Sequence, residues 1–376
     1  MQQLPGKVKA GYGAAELGAM GAEILVRVYL LKFYTDTVGL RPDLAGYAVA
    51  LGVLWDAVTD PLMGVISDRS KWRWGRRIPF MLVGAFVLPL ALYLLFHPPE
   101  LDDQMARFLY LVATYMFFNT ALTILAVPHA AFAGDMTNDG DQRMQLFGYR
   151  LFAGNLGLVT GTVLPGLFAA MATGGVPESE TSWVMGLVIV VTSLMCVLTT
   201  RRFDKPARTV ASKGVGIRPR VRYMANKAFL ILFTAYFIAT VGLTINSSLA
   251  LYYYTYRLLL DDATVNGIIA FFVVIFCLSI PMWVLIARRT GKKKALVCGV
   301  TGLALLTIVS YPLFPPGNAN WPYLAALLGG LFVGAVVLLD AALADIVDYD
   351  RVWSRQARNN RSHQQKYPNP WPKRQR

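Results

Sequence analysis

Long apolar segments separated by short polar stretches run along most of the chain. About ten of them reach the roughly 20 residues that an α-helix needs to cross the hydrocarbon core of a bilayer. Several contain glycine or proline, which membrane helices tolerate. The pattern predicts an all-α polytopic membrane protein with helices over 13–34, 45–67, 78–96, 107–133, 146–172, 181–200, 228–257, 264–287, 295–314 and 321–346.

Charges in the polar stretches alternate along the chain and predict the orientation of the helices. The stretches 68–77, 201–227 and 287–294 are rich in Lys and Arg, whereas HPPELDDQ (97–104) and GGVPESET (174–181) contain neither. Positively charged loops tend to stay on the cytoplasmic side of a membrane. We therefore expect both chain termini to be cytoplasmic.

The composition excludes several classes of protein. Of the 376 residues, 55% are hydrophobic and 15% are charged, whereas soluble domains have about 25% charged residues. The three cysteines, all in apolar stretches, make no disulfide framework. The net charge of +14 does not indicate a nucleic-acid partner, because eight basic and no acidic residues follow Asp350 and the rest of the excess is mostly the cytoplasmic loop bias. We expect the chain to lie in a lipid bilayer. We also expect it to be a monomer.

Two pairs of similar segments indicate two related halves. AAFAGDMTNDGDQR (130–143) is similar to AALADIVDYDRVW (341–353), and PLMGVISDRSKWRWGRR (61–77) is faintly similar to PMWVLIARRTGKKK (281–294). Two parallel six-helix halves are the plan expected of a major facilitator-type bundle. The predicted division is a six-helix half over 1–200, a basic cytoplasmic linker over 201–227, an incomplete half of four helices over 228–350, and a basic, disordered tail over 351–376.

The predicted second half lacks the last two of the usual twelve helices. One explanation is a natural ten-helix protein with a basic tail. The explanation that we favour is a truncation or a shifted reading frame near Ser354, because residues 354–376 contain no apolar run.

Four segments together resemble the glycoside-pentoside-hexuronide:cation symporter family of the major facilitator superfamily. They are FYTDTVGL (33–40), WDAVTDPLMGVISDRSKWRWGRRIPF (55–80), VPHAAFAGDMTNDGDQRMQLFGYR (127–150) and ADIVDYD (344–350). The resemblance implies alternating access to a site between the halves, driven by Na⁺, Li⁺ or H⁺ with no other cofactor. It also implies a bacterial inner membrane and a small-molecule cargo, usually a saccharide or glycoside, whereas a related branch carries lysolipids.

Two aspartates one helical turn apart form the first candidate site. Asp56 and Asp60 lie on the same face of the second helix, and carboxylates at membrane depth need a cation, a proton or a basic partner. By resemblance, Asp56, Thr59, Asp60 and Thr123 occupy cation-binding positions. The alternative is that Asp60 only shapes the helix end next to Pro61, while Asp56 pairs with an arginine.

Arg150 matches an arginine that the family uses in sugar binding, and a guanidinium can bind hydroxyls or a carboxylate through two hydrogen bonds. The alternative is an interfacial arginine that reaches the headgroups. Three family positions differ here, because the acidic and aromatic sugar contacts are replaced by Met20, Ala126 and Ala130. This sequence thus retains the family's cation-binding motif better than its sugar-binding motif.

Other polar residues within the apolar segments are further substrate-binding candidates, because polar groups at membrane depth are often functional. Glu23 and Arg27 can instead neutralise each other at i, i+4 spacing. A histidine can protonate near neutral pH or simply pack between helices. The candidates are Glu16, Glu23, Asn119, His129, Asn155 and Asp340.

The loop after the second helix resembles a cytoplasmic gate motif. Its residues are Asp68, Arg69, Gly75, Arg76 and Arg77. An acidic side chain at a helix C-terminus is unfavourable unless cations lie nearby. We expect Arg76 and Arg77 to provide them, in an ion network that closes the cytoplasmic side; the alternative is that these charges only fix topology.

The sequence therefore favours a cation-coupled symporter of a sugar-type solute. One alternative is a transporter of an amphiphile such as a lysolipid, and another is a truncated chain that transports nothing. An enzyme is disfavoured, because no nucleophile or metal spacing of a known catalytic motif occurs.

Overall fold

Ten long α-helices follow one another in the computed structural model, which describes residues 4–70, 72, 75–137, 139–171, 176–204, 227–336 and 338. Each lies where a span is predicted, and the described residues contain no β-strand. The helices are α1 (Gly6–Lys32), α2 (Pro42–Arg69), α3 (Ile78–Phe96), α4 (Gln104–Met136), α5 (Gly140–Met171), α6 (Pro177–Thr200), α7 (Lys227–Tyr252), α8 (Asp262–Thr290), α9 (Lys292–Leu313) and α10 (Asn320–Val333).

Seven of the described helices are long and apolar enough to cross a membrane: α2 to α6, α8 and α9. Helix α1 is long enough but carries Glu16, Glu23 and Arg27, and α10 is shorter. Much of α1 is buried against other helices, with Tyr12, Leu25 and Tyr29 almost inaccessible. A helix shielded by protein needs less apolar surface than one that faces lipid, which explains its composition.

Helix α1 is the centre of the first half and packs against α5 and α6, while α3 packs against α4 and α6, and α2 against α4. Helices α1 and α5 approach closely because of their glycines. A Cβ atom at Gly157 would collide with the carbonyl oxygen of Leu17, and one at Gly161 with that of Gly21. Small residues at a helix crossing allow backbones to approach in this way.

The same succession of structures occurs in both halves. Helix α1 ends in a π-helical turn (Phe33–Thr37), as does α7 (Tyr253–Arg257). Each turn precedes a residue with positive φ, Gly39 at 73° and Leu259 at 56°. The predicted domain limits stay a prediction, since 205–226 and 339–376 lie outside the described residues.

Candidate cation and solute sites

The two aspartates of α2 differ in their surroundings. The Thr123 hydroxyl of α4 donates a hydrogen bond to Asp60 Oδ1 at 2.7 Å, so the structure brings together two of the predicted ligands. The Thr59 hydroxyl instead donates to the Trp55 carbonyl at 3.1 Å. Within the described part of the chain, Asp56 Oδ1 is buried without a hydrogen-bond partner. In that same described part of the chain, no ion pair includes Asp56 or Asp60.

Negative charge is in excess around Asp56. Asp60 and Glu23 both act on Asp56 by charge repulsion. Glu23 is paired with Arg27, whose Nη2 lies 2.6 Å from Glu23 Oε1, and both side chains are partly exposed. Three carboxylates thus face one guanidinium. Oxygen atoms with excess negative charge are suitable ligands for a hard cation.

Asn119 attaches α4 to the backbone of α2 next to this site. Its Nδ2 donates to the carbonyl of Gly52 at 3.2 Å, one turn before Asp56. The Trp55 Nε1 donates to the Thr120 hydroxyl at 2.8 Å. These contacts hold α2 and α4 in the register that places Thr123 beside Asp60.

A second polar cluster joins α1, α4 and α5. Glu16 Oε1 lies 2.8 Å from Arg150 Nη2, and Glu16 Oε2 lies 3.1 Å from His129 Nδ1. His129 Nε2 lies 2.8 Å from the carbonyl oxygen of Tyr12. Arg150 therefore pairs with an acidic residue of α1.

The remaining solute candidates are less connected. Asn155 lies where the halves meet, because the Cys277 thiol of α8 lies 3.7 Å from its carbonyl oxygen. Met20 adjoins Glu16, since a Cβ at Gly154 would contact both side chains. Asp340 lies outside the described residues.

Polar contacts join the two halves at the end that carries the π-helical turns. Lys32 Nζ lies 2.6 Å from Asp262 Oδ1, and the Tyr256 hydroxyl donates to Asp36 Oδ2 at 2.8 Å. The hydroxyls of Thr35 and Tyr252 lie 2.7 Å apart. The sequence reasoning missed these pairs; the only signal was the likeness of FYTDT to YYTYR.

Three of the predicted gate residues, Asp68, Arg76 and Arg77, form an ion network with Asp135 within the first half. Arg77, almost fully buried, binds Asp68, Ser67 and Asp135. Burial opposes the charge of Arg76, but its bond to Asp135 outweighs this and raises the pKa of Arg76. The network links α2, α4 and the start of α3, and a gating role stays a prediction.

Asp204, which sequence reasoning missed, caps α3 from the segment after α6. Its carboxylate accepts hydrogen bonds from the backbone N–H groups of Arg76, Arg77 and Ile78 at 2.8–2.9 Å. Gly75 has φ 116°, and a Cβ there would collide with the Asp204 side chain. The glycine of the motif therefore has a steric role. Arg69 ends α2 and is exposed.

An open cavity of about 690 Å³ lies along α7. Its lining includes Asn246, Tyr252, Tyr256 and Arg257, with Thr307 of α9. The rings of Tyr252 and Tyr256 stack with centroids 6.1 Å apart. Aromatic side chains at the end of a membrane helix are typical of the interface.

Known proteins resemble this chain along most of its length. The family described as MFS/sugar transport protein matches residues 11–360. An uncharacterized symporter of Synechocystis is 34% identical over 60% of this chain and 42% of its own length. The isoprimeverose transporter of Lactiplantibacillus pentosus is 25% identical over 92% of this chain and 73% of its own length.

A eukaryotic relative and a solved structure extend the comparison. The sodium-dependent lysophosphatidylcholine symporter 1-A of Danio rerio is 24% identical over 85% of this chain and 66% of its own length. The crystal structure of a D-xylose-proton symporter has the same fold, with a TM-score of 0.63 and 12% identity over 88% of this chain and 79% of that one. The chain thus spans between two fifths and three quarters of the curated relatives named here.

Proposed function

Because the chain belongs to the MFS/sugar transport protein family, whose members and structural neighbours are membrane transporters and not enzymes, we propose that it is a cation-coupled symporter. In this proposal Na⁺, Li⁺ or H⁺ binds at Asp56 and Asp60, and its gradient drives the uptake of a small solute. The protein is an integral membrane protein. Location in a bacterial inner membrane, cytoplasmic termini and a monomeric state are parts of the proposal.

The buried, unpartnered oxygen of Asp56 supports this proposal most strongly. A buried carboxylate oxygen without a hydrogen bond is costly, and here it lies near two further acidic groups. A bound cation would remove both the repulsion and the missing contact. Asp60 Oδ1 and the Thr123 hydroxyl, 2.7 Å apart, supply further oxygens one turn away.

The contacts between the halves fit alternating access. Lys32–Asp262 and Asp36–Tyr256 close one end of the bundle, which we take as the extracytoplasmic end from the loop charges. Opening that end would break these polar contacts and expose the site to the extracytoplasmic side.

A sugar-type solute is our first proposal for the cargo. The isoprimeverose transporter is a relative over nearly the whole chain, and Arg150 is partly exposed near Glu16. An amphiphile such as a lysolipid is the second proposal. The lysophosphatidylcholine symporter favours it, as do the apolar side chains at Met20, Ala126 and Ala130.

Thermal unfolding of the purified full chain tests the cation site. A ligand that binds only the folded state adds about 2.7 kcal/mol of stability at a concentration 100 times its Kd. We expect NaCl or LiCl to raise the unfolding temperature above that in choline chloride of equal ionic strength. For a proton-coupled protein, acidification replaces the salt as the stabilising variable.

The variants Asp56→Asn and Asp60→Asn should lose this stabilisation. Asp43→Asn is the matched control, because Asp43 is an exposed residue of the same helix that pairs with Arg41. Stabilisation that persists in both site variants, or its absence from a folded wild type, would refute the site. Competition of vesicle uptake by isoprimeverose and by lysophosphatidylcholine then separates the two cargo classes.

A further inference from the structure

The cluster of Glu16, His129 and Arg150 has a hydrogen-bond arrangement that a neutral histidine cannot satisfy. His129 is 1% exposed and Glu16 is 9% exposed. One ring nitrogen, Nδ1, lies 3.1 Å from Glu16 Oε2, and the other, Nε2, lies 2.8 Å from the Tyr12 carbonyl oxygen. Both neighbours are acceptors when Glu16 is ionised, whereas a neutral imidazole has one N–H.

Two hydrogen bonds at His129 therefore require one additional proton between Nδ1 and Glu16 Oε2. The proton belongs either to an imidazolium or to a carboxylic acid that donates to Nδ1. In both forms Glu16, His129 and Arg150 together carry a charge of +1, because two cations face one anion or a neutral pair adjoins one cation. Without this proton, Nδ1 and the carboxylate face each other with lone pairs and the three groups are neutral together.

The other titratable groups around His129 come from α1 and α6. The Tyr12 hydroxyl donates to the His129 carbonyl oxygen at 3.1 Å, and the two rings lie 4.6 Å apart. The Cys196 thiol of α6 lies 3.6 Å from the Tyr12 carbonyl oxygen. Cys196 also interacts with His129. Tyrosine and cysteine are ordinarily neutral near pH 7, so Glu16 is the charged group at His129, and Arg150 is bound to Glu16 in turn.

We propose that Glu16 and His129 form a proton-binding site, and that its loading frees Arg150 to bind an anionic solute. The second part of the proposal rests on the transport function proposed above. Arg150 is bound to Glu16 through Oε1, and a proton shared at Oε2 reduces the negative charge that holds the guanidinium. Arg150 is 24% exposed, so it is accessible to a ligand while Glu16 and His129 are not.

This site is separate from the pair of aspartates on α2. Glu16 and Glu23 are seven residues apart on α1, which corresponds to about 10 Å along the helix axis. Glu23 repels Asp56 through their like charges, whereas Glu16 binds His129 and Arg150. One cluster has an excess of negative charge and the other, when loaded, an excess of positive charge.

Nitrogen-15 NMR of histidine-labelled full-length protein in lipid nanodiscs tests the proton site. The chain has three histidines, His97, His129 and His363, so single replacements by asparagine assign the signals. We expect one additional proton on the His129–Glu16 pair at low pH, seen either as a doubly protonated His129 or as a hydrogen bond from a protonated Glu16 to Nδ1, and loss of this proton as the pH is raised. A single neutral tautomer with an unprotonated Glu16 from about pH 5 to about pH 9 would overturn the proposal.

Two matched variants connect the titration to Glu16. In Glu16→Gln the midpoint of the His129 transition should fall by about one pH unit or more, because the anionic partner is lost. Glu100→Gln makes the same change at an exposed loop position and should leave the midpoint unchanged. An unchanged midpoint in Glu16→Gln would contradict the shared proton. If that variant does not fold, Glu16→Asp and the wild-type titration still decide the matter.

Thermal protection by two matched probes tests the role of Arg150. D-glucuronate, which carries a carboxylate, should protect the wild type at least about threefold more strongly by apparent Kd at about pH 5.5 than at about pH 8, whereas neutral D-glucose should show no such change. In Glu16→Gln the preference for low pH should disappear. Equal glucuronate protection at both pH values, or none, would refute the Arg150 part. Loss of Na⁺ or Li⁺ protection in the earlier experiment would instead refute the aspartate site alone.

Discussion

The carboxylate of Asp204 should contribute more stability than other helix caps of the protein. It is 9% exposed, and it accepts three backbone N–H groups at the start of α3, two through Oδ2 and one through Oδ1. The N-terminus of a helix has four N–H groups without intrahelical partners, and its dipole favours a negative charge. The perturbation to test is Asp204→Ala.

The expected loss follows from the number of donors left without a partner. Removal of an ordinary cap costs about 1 kcal/mol, and each buried donor left unsatisfied costs about 1–3 kcal/mol. Water reaches part of this site, because Asp135 and Arg76 are about one quarter exposed. We therefore expect Asp204→Ala to lower the free energy of unfolding by about 3 kcal/mol. Asp204→Asn, which keeps one acceptor oxygen, should cost about half as much.

Unfolding in mixed micelles, with SDS as the denaturant and tryptophan fluorescence as the signal, measures this loss. Asp103→Ala is the control, because Asp103 caps α4 through a single N–H, that of Ala106 at 3.1 Å, at an exposed position. It should cost about 0.5–1 kcal/mol. Equal losses in Asp103→Ala and Asp204→Ala would refute the reasoning from donor number and burial.

Three further predictions use the same unfolding measurement. Gly161→Ala places a methyl group against a carbonyl of α1 and should lower the free energy of unfolding by about 1–3 kcal/mol. Its control, Gly148→Ala, has open space around it and should be neutral or stabilising. Equal effects of the two variants would contradict a close crossing of α1 and α5. Arg77→Lys keeps the charge but loses the planar guanidinium that binds Ser67, Asp68 and Asp135. We therefore expect the free energy of unfolding to fall by about 2 kcal/mol. A change within error of zero would contradict a stabilising role for this network. In the pair Lys32–Asp262 the aspartate side chain is largely exposed, so a double-mutant cycle with alanine should give a coupling energy below about 1 kcal/mol. A much larger coupling energy would contradict this and indicate a buried contact.

The positions of the ten helices in the described part of the chain could be predicted from the sequence. A membrane helix must be about 20 residues long and mostly apolar, and each segment meets or fails this requirement through its own residues alone. Contacts within one helix are also local, since residues four positions apart share a face. The spacing predicts the shared face of Asp56 and Asp60 on this basis, and it gives the pair Glu23–Arg27 as one of two alternatives for those residues.

The partners between helices were decided by the tertiary structure. Thr123 was assigned to the cation site only by resemblance, and the packing of α2 on α4 places it at Asp60. The sequence reasoning gave Arg150 and Glu16 as separate candidates, but the close crossing of α1 and α5 at their glycines makes them an ion pair. Asp204 reaches α3 across more than 120 residues of chain. Helical periodicity determines which side chains share a face, whereas only the packing of helices determines which faces meet.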